Sequence, residues 1–303
     1  MAKGGALLSV RVALLPIAAV AAAPLSAATA VLEPSGAWVI DYANEKCRLA
    51  RPFGGGKQLA VLFFEQGSPG ENFALSAAGP QLKRFEMSRT TFVRFSDAGE
   101  ERQTRPFTGD IKTIGPAVIY SSLDLGPEGQ GKDGDQQADR TGPGLPHIDL
   151  AEAAAADFIE LRQGKHRVRF ATGNLKDPME ALNRCSADLV RSWGLDLDRH
   201  RTARQLPVWT NREAIVRRIV AEYPGPAARI GEQGVVRMRV MVDPSGAVTD
   251  CKLDKATRSE ALESPACKAM VEARFEPALD ADGVAMPSYY AETIVYKMAG
   301  GTF

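Results

Sequence analysis

The run Val235 to Val242 constrains the fold of this chain more than any other stretch. Val236, Met238, Val240 and Val242 fall on one face, and Val235, Arg237, Arg239 and Met241 on the other. That period of two is the signature of a half-buried β-strand. Asp243-Pro244-Ser245-Gly246 follows, with a proline that fixes φ and a glycine free to take positive φ, so the chain turns there. Ala247 to Leu253 returns as the second arm of a hairpin. A helix is expected to start near Ser264, with Ser264 as cap and Pro265 at its first position, and Cys267, Met270, Val271 and Phe275 follow. Phe275-Glu276-Pro277-Ala278 breaks it. Tyr289 to Met298, rich in Tyr, Thr, Ile and Val, is the last strand. The order is strand, strand, helix, strand.

A further helix precedes this unit. In TNREAIVRRIVAEYP, Thr210 and Glu213 make a capping box, and Ile215, Val216, Ile219, Val220 and Tyr223 make the stripe expected to be buried. Arg212, Arg217 and Arg218 lie off it and read as a solvated face. Pro224 and Pro226 stop the helix, and Gly231 and Gly234 bracket a reversal. Upstream, residues 199–208 are charged and aperiodic, and read as a linker.

The first half of the chain reads as short strands. Ala37–Tyr42, Leu59–Phe64, Asn72–Ser76, Leu82–Phe85, Thr91–Phe95, Val118–Ser121, Asp157–Leu161 and His166–Ala171 are rich in β-formers. Gly, Pro and Ser separate most of them, which points to an antiparallel sheet, sandwich or barrel. A helix closes this half. Asp177 is its expected cap, and Met179, Leu182, Cys185, Leu189, Val190 and Trp193 share one face, with Gly194 at its end. The polar stretch from Gly126 to Pro146 reads as a loop. Its Gly126–Lys132 segment spells G-x-x-x-x-G-K, but Asp133 stands where a P-loop needs Ser or Thr, so no nucleotide is expected. The fold class is therefore α+β: a β-rich antiparallel domain with a C-terminal helix over 31–198, then a small β-β-α-β domain over 209–303.

Residues 1–30 stand outside that scheme. Lys3 and Arg11, the apolar run Val12–Ala23 and the small-residue end Ala28-Thr29-Ala30 are ordered as in a secretory signal peptide, with cleavage expected after Ala30. The alternative is an uncleaved anchor in the inner membrane, for which the apolar core is short. Export gives the four cysteines meaning, because an even count in an oxidising compartment suggests two disulfides. Of three possible pairings, Cys47–Cys185 with Cys251–Cys267 puts one bridge in each domain and is the one expected; the other two stay open.

Several functions are excluded or left unsupported. The chain holds 37 basic and 37 acidic residues, so no global field favours nucleic acid. Its three histidines, His147, His166 and His200, have no metal-ligand spacing, and neither metal nor cofactor is expected. No GxSxG, HExxH or GxGxxG occurs, so no catalytic residue is assigned and the chain reads as a non-enzyme. A hydrolase built on paired Asp or Glu is the residual alternative.

The C-terminal pieces, in order, resemble the TonB C-terminal domain family. The pieces are Tyr223-Pro224 with Ala227, Gly231 and Gly234, the Val235–Val242 strand, Asp243-Pro244-Ser245-Gly246-Ala247-Val248, and Arg274-Phe275-Glu276-Pro277-Ala278 with Gly283. The resemblance covers about residues 206–300. The Cys251 and Cys267 pair resembles variants of the family from periplasm-bearing bacteria. The first half, with W-x-x-D-Y-x-x-x-x-C at Trp38–Cys47 and C-x-x-D-L-x-x-x-W-G-L-D at Cys185–Asp196, looks like the region that accompanies such modules in alphaproteobacteria. The resemblance implies a periplasmic protein that binds a protein or peptide by strand addition, with an outer-membrane transporter as one such partner. Energy-transducing members have an uncleaved anchor and a long Pro-rich spacer. This sequence departs from them on both points. The expected binding edge is Tyr289–Met298, with Tyr290, Ile294 and Tyr296 as its contact face. The competing expectation is that those side chains pack on the helix. The alternative function is a structural envelope protein that self-associates, as a homodimer, through the same edge.

Overall fold

The structure is a computed structural model that describes Met1 and residues 29–43, 45–126, 143–257 and 259–297. Most of the expected leader, residues 127–132 of the P-loop-like segment, and Met298 lie outside the described residues. In chain order, the first half contains β1 (Ala30–Leu32), β2 (Val39–Ala43), β3 (Lys46–Phe53), β4 (Ala60–Gln66), β5 (Phe73–Ala78), β6 (Thr91–Arg94), β7 (Arg102–Thr104), β8 (Phe107–Ile111) and β9 (Gly115–Leu123). It continues with α1 (Leu150–Ala155), β10 (Ile159–Gln163), β11 (His166–Phe170) and α2 (Lys176–Ser192). The second half contains α3 (Leu197–Arg201), β12 (Val208–Trp209), α4 (Arg212–Ala221), α5 (Gly225–Arg229), β13 (Gly234–Val242) and β14 (Val248–Lys255). It ends with α6 (Ala266–Met270), β15 (Phe275–Glu276), β16 (Ala278–Leu279), β17 (Ala285–Met286) and β18 (Ser288–Tyr296).

Two sheets build the first half. One has six strands in the order β2-β3-β4-β5-β9-β8, all antiparallel. The other has the order β1-β11-β10-β6-β7, antiparallel except where β1 runs parallel to β11. Alternation along each strand sends one set of side chains inward. Leu49, Phe53, Leu62, Phe64, Leu75 and Tyr120 of the first sheet meet Val93, Leu161 and Phe170 of the second in one core. Phe53 and Phe170 contact edge to face at 5.3 Å. Helix α2 adds Met179, Leu182, Cys185 and Leu189 to that core. Cys185 is bonded to Cys47, which ties α2 to β3.

Several local expectations differ from the structure. Leu82–Phe85 is not a strand: Gly79 and Pro80 start a 3-10 turn over Pro80–Leu82, and Leu82 and Phe85 are buried as plugs beneath it. Strand β3 escapes a pattern reading because Lys46, Arg48, Arg51 and Pro52 interrupt its apolar residues. The charges on it find cross-strand and tertiary partners, as where Arg48 donates to Glu65 at 2.6 Å. Helix α3 crosses the start of the expected 199–208 linker because the Asp196 side chain caps it, accepting from the amides of Asp198 and Arg199. At α4 the Thr210 hydroxyl donates to the carbonyl of Arg274 instead of capping the helix. Val220 of the expected buried stripe is 66% exposed, since the helix ends one residue later and its last turn faces outward.

In the second half β13 is the central strand of the sheet β14-β13-β18, and both pairings are antiparallel. Trp209, Ile215, Ile219, Leu262, Met270 and Phe275 pack with Val236, Met238, Val240 and Tyr290 on one face of it. Cys251 of β14 is bonded to Cys267 of α6. The Asp243–Gly246 turn is held by the Asp243 carboxylate, which accepts from the amides of Ser245 and Ala247. Gly246 has φ +82°, and the amide of Phe275 donates to its carbonyl at 3.1 Å.

Candidate functional site: the edges and outer face of the three-stranded sheet

Both faces of β13 are covered, although its alternation suggests a half-buried strand. The apolar side chains Val236, Met238, Val240 and Val242 face the helices. The opposite side chains face the first half of the chain. Arg239 donates to Glu45 at 2.7 Å and stacks on Trp193, 4.4 Å from the ring centre. Arg237 donates to Glu65 at 2.8 Å and to Asp254 at 3.2 Å. Lys252 reaches Glu45, and Lys46 reaches Asp254. The beginning of β18 is covered in the same way. Tyr289 meets Trp193 with ring centres 4.8 Å apart, and His200 Nε2 lies 3.0 Å from the Ser288 hydroxyl. Sequence reasoning missed this interface. Its one signal was that Arg237 and Arg239 sit in an otherwise apolar strand, the pattern of buried cations with partners elsewhere in the chain.

The electrostatics of the interface follow from burial and pairing. Burial raises the Glu65 pKa, but the guanidiniums of Arg237 and Arg48 outweigh it, and the carboxyl stays below its ordinary range. Glu45 behaves alike: burial pushes it up, and hydrogen bonds from Arg239 and Lys252 hold it down. Glu45, Glu65, Arg237, Arg239 and Lys252 line a cavity of about 260 Å³ between the Gly67–Asn72 turn and the sheet, together with Ser121, Ser122, Ala291 and Thr293. That is below the roughly 300–1,000 Å³ of small-molecule sites. A general acid needs a carboxyl that keeps its proton near neutral pH, and Glu45 and Glu65 are shifted the opposite way. The cavity therefore offers no acid and base pair from those two. Among the described residues no group of His, Cys, Asp and Glu is placed to hold a metal ion.

The structure places Tyr290, Ile294 and Tyr296 on the helix-covered face. Tyr290 and Tyr296 are buried in the core of this half, and Ile294 packs against it half-buried. Tyr290 contacts Trp209 and Phe275, and its hydroxyl donates to Glu292, which is paired with Arg212 at 2.6 Å. Tyr296 lies against Tyr223, and its hydroxyl is 2.7 Å from that of Ser264. These side chains support β18 from beneath. β18 itself has a strand partner, β13, on one side; on the other, no strand of the described residues pairs with it. Its second half is half-exposed at Glu292, Thr293 and Ile294 and open at Val295, which is 38% exposed. The other edge, β14, is lined by Thr249, Asp250, Lys252, Asp254 and Lys255, charges that discourage strand pairing.

The second half is thus a small sheet with helices on one face, the first half of the chain on the other, and an edge of β18 with which no strand of the described residues pairs. Residues 220–298 match the family described as Gram-negative bacterial TonB protein C-terminal, so the chain is a protein with a TonB C-terminal domain. No curated protein matches the chain. Domains of this family are protein-interaction domains without enzymatic activity. No helix among the described residues is long and apolar enough to cross a membrane.

Proposed function

We propose that this chain is a non-catalytic periplasmic protein whose TonB C-terminal domain binds an extended segment of a protein partner by strand addition along β18. In this reading residues 1–30 are a cleaved leader, 31–198 a β-rich domain and 209–303 the binding domain. An outer-membrane transporter is one partner that fits. The observation that carries the proposal is the edge of β18 over Glu292–Tyr296, with which no strand of the described residues pairs, in a sheet whose other edge, β14, is blunted by charge. Main-chain groups there offer a guest strand its hydrogen bonds. The buried Tyr290 and Tyr296 hold the edge in place, so the specificity of the site lies in what flanks β18 rather than in those rings. The two disulfides suit an oxidising compartment. The test is photo-crosslinking in living cells, with p-benzoylphenylalanine at Val295 on one edge or at Thr249 on the other. The proposal requires capture of a partner protein from Val295 and not from Thr249. Capture from Thr249 alone would move the site to β14.

A further inference from the structure

The first half of the chain reaches β18 with one end of its six-stranded sheet. Glu45 before β3 and Glu65 at the end of β4 meet β13 and β14. Farther along the same sheet order, Ser121 and Ser122 at the end of β9 share the cavity with Ala291, Glu292 and Thr293. The neighbouring strand β8 begins at Phe107, and the ammonium of Lys297, just past β18, lies 5.5 Å from the centre of that ring. The β9–β8 end thus meets β18 near Ala291–Thr293 and again at Lys297, flanking Glu292–Tyr296, with whose outer edge no strand of the described residues pairs. Earlier in β18, Ser288 and Tyr289 are held by His200 and Trp193.

We infer that the β9–β8 end of the N-terminal domain is the second wall of the partner-binding groove, so that the site is complete only when both halves of the chain are present. This rests on the strand-addition reading and deepens it. A guest strand beside β18 projects alternate side chains to the two faces of the sheet. On the helix side they meet the rim of α4 near Arg212. On the other side they meet Ser121, Ser122 and Lys297, the last placed over the buried ring of Phe107. The covered start of β18 limits pairing to about six residues, Glu292 to Lys297, roughly 20 Å of extended chain. The occupant is therefore a short extended protein segment, with small side chains opposite the two serines and a carboxylate within reach of Lys297. A guest held by main-chain bonds on one side and by these side chains on the other is read for sequence as well as for shape.

The experiment uses the full chain in cells, with p-benzoylphenylalanine at Ser122, which is exposed, compared with the same probe at Val295. Adducts are digested and the crosslinked peptides mapped. The expected result is that both positions capture one partner, and that both crosslinks fall within the same segment of about ten residues. If Val295 captures a partner and Ser122 captures none, or captures a different protein, the second wall is overturned and strand addition stands. If neither captures anything, both the wall and the strand-addition reading fail. Charge reversal by Lys297→Glu gives an independent readout: a several-fold loss of the Val295 adduct is expected, and an unchanged yield counts against the acidic guest.

Discussion

The guanidinium of Arg239 lies against the ring of Trp193 and hydrogen-bonds Glu45, joining the central strand of the TonB domain to the first half of the chain. Arg239 is 8% exposed, so its charge is removed from water and matched within the protein. The sheet face opposite the helices is here covered by the first half of the chain.

The ion pair between Glu65 and Arg237 is the most enclosed of those linking the two halves, with side chains 9% and 12% exposed. Removing Glu65 leaves the enclosed Arg237 with only the Asp254 carboxylate, 3.2 Å away, and takes the Glu65 partner from Arg48. Glu65→Ala is expected to destabilise the protein by about 3 kcal/mol in urea unfolding. A double-mutant cycle with Arg237→Ala is expected to recover a large part of that loss.

Acid should loosen the structure in two stages. Burial holds the His200 pKa below 6.5, and the neutral ring suits its contacts, donating from Nδ1 to the Asp196 carbonyl and accepting at Nε2 from Ser288. A histidine depressed by folding takes its proton more readily in the unfolded chain, so stability falls as pH drops from about 6.5 towards its lower folded value. Glu45 and Glu65, held below their ordinary 4.5, contribute stability that is present above that value and lost as pH falls further. Thermal melts from pH 8 to pH 3 should show both losses, and His200→Gln should flatten the first without touching the second.

The disulfides differ in the chain they close. Cys47–Cys185 spans 138 residues and Cys251–Cys267 spans 16. In the chain-entropy model the longer loop contributes roughly 5 kcal/mol and the shorter about 3 kcal/mol. Replacing the first pair by alanine should lower the melting temperature more than replacing the second, and should free α2 from β3 in hydrogen exchange.

Gly246 is required by two constraints at once. Its φ is +82°, and a Cβ there would sit 1.9 Å from the carbonyl oxygen of Phe275. Gly246→Ala is expected to cost about 3 kcal/mol, from backbone strain and the displaced neighbour together, measured by denaturant unfolding. A nearby change in the same turn, Ser245→Ala, should cost far less.

The C-terminal half was legible where period and turn chemistry coincide. The alternation of β13, the Asp243–Gly246 turn and the aromatic β18 could be read directly because local preference and tertiary role agree there. The α2 face was legible for the same reason. Strand β3 was not, because its lysine and arginines are satisfied by residues remote in sequence, and no local pattern shows a distant partner. The orientation of Tyr290, Ile294 and Tyr296 was ambiguous for a related cause. Period two puts them on one face and does not say whether the helices or a guest take it. The helices do. The docking of Trp193 on Tyr289 and Arg239 is a contact between halves that no single stretch encodes.

Hydrogen–deuterium exchange on the full chain, alone and with the partner identified by the Val295 crosslink, tests strand addition most directly. The account predicts that amides within Glu292–Lys297 gain protection of tenfold or more on binding, on the order expected when a free edge becomes a paired strand, while β14 stays as it was. Unchanged exchange along β18, with protection appearing elsewhere, would contradict it.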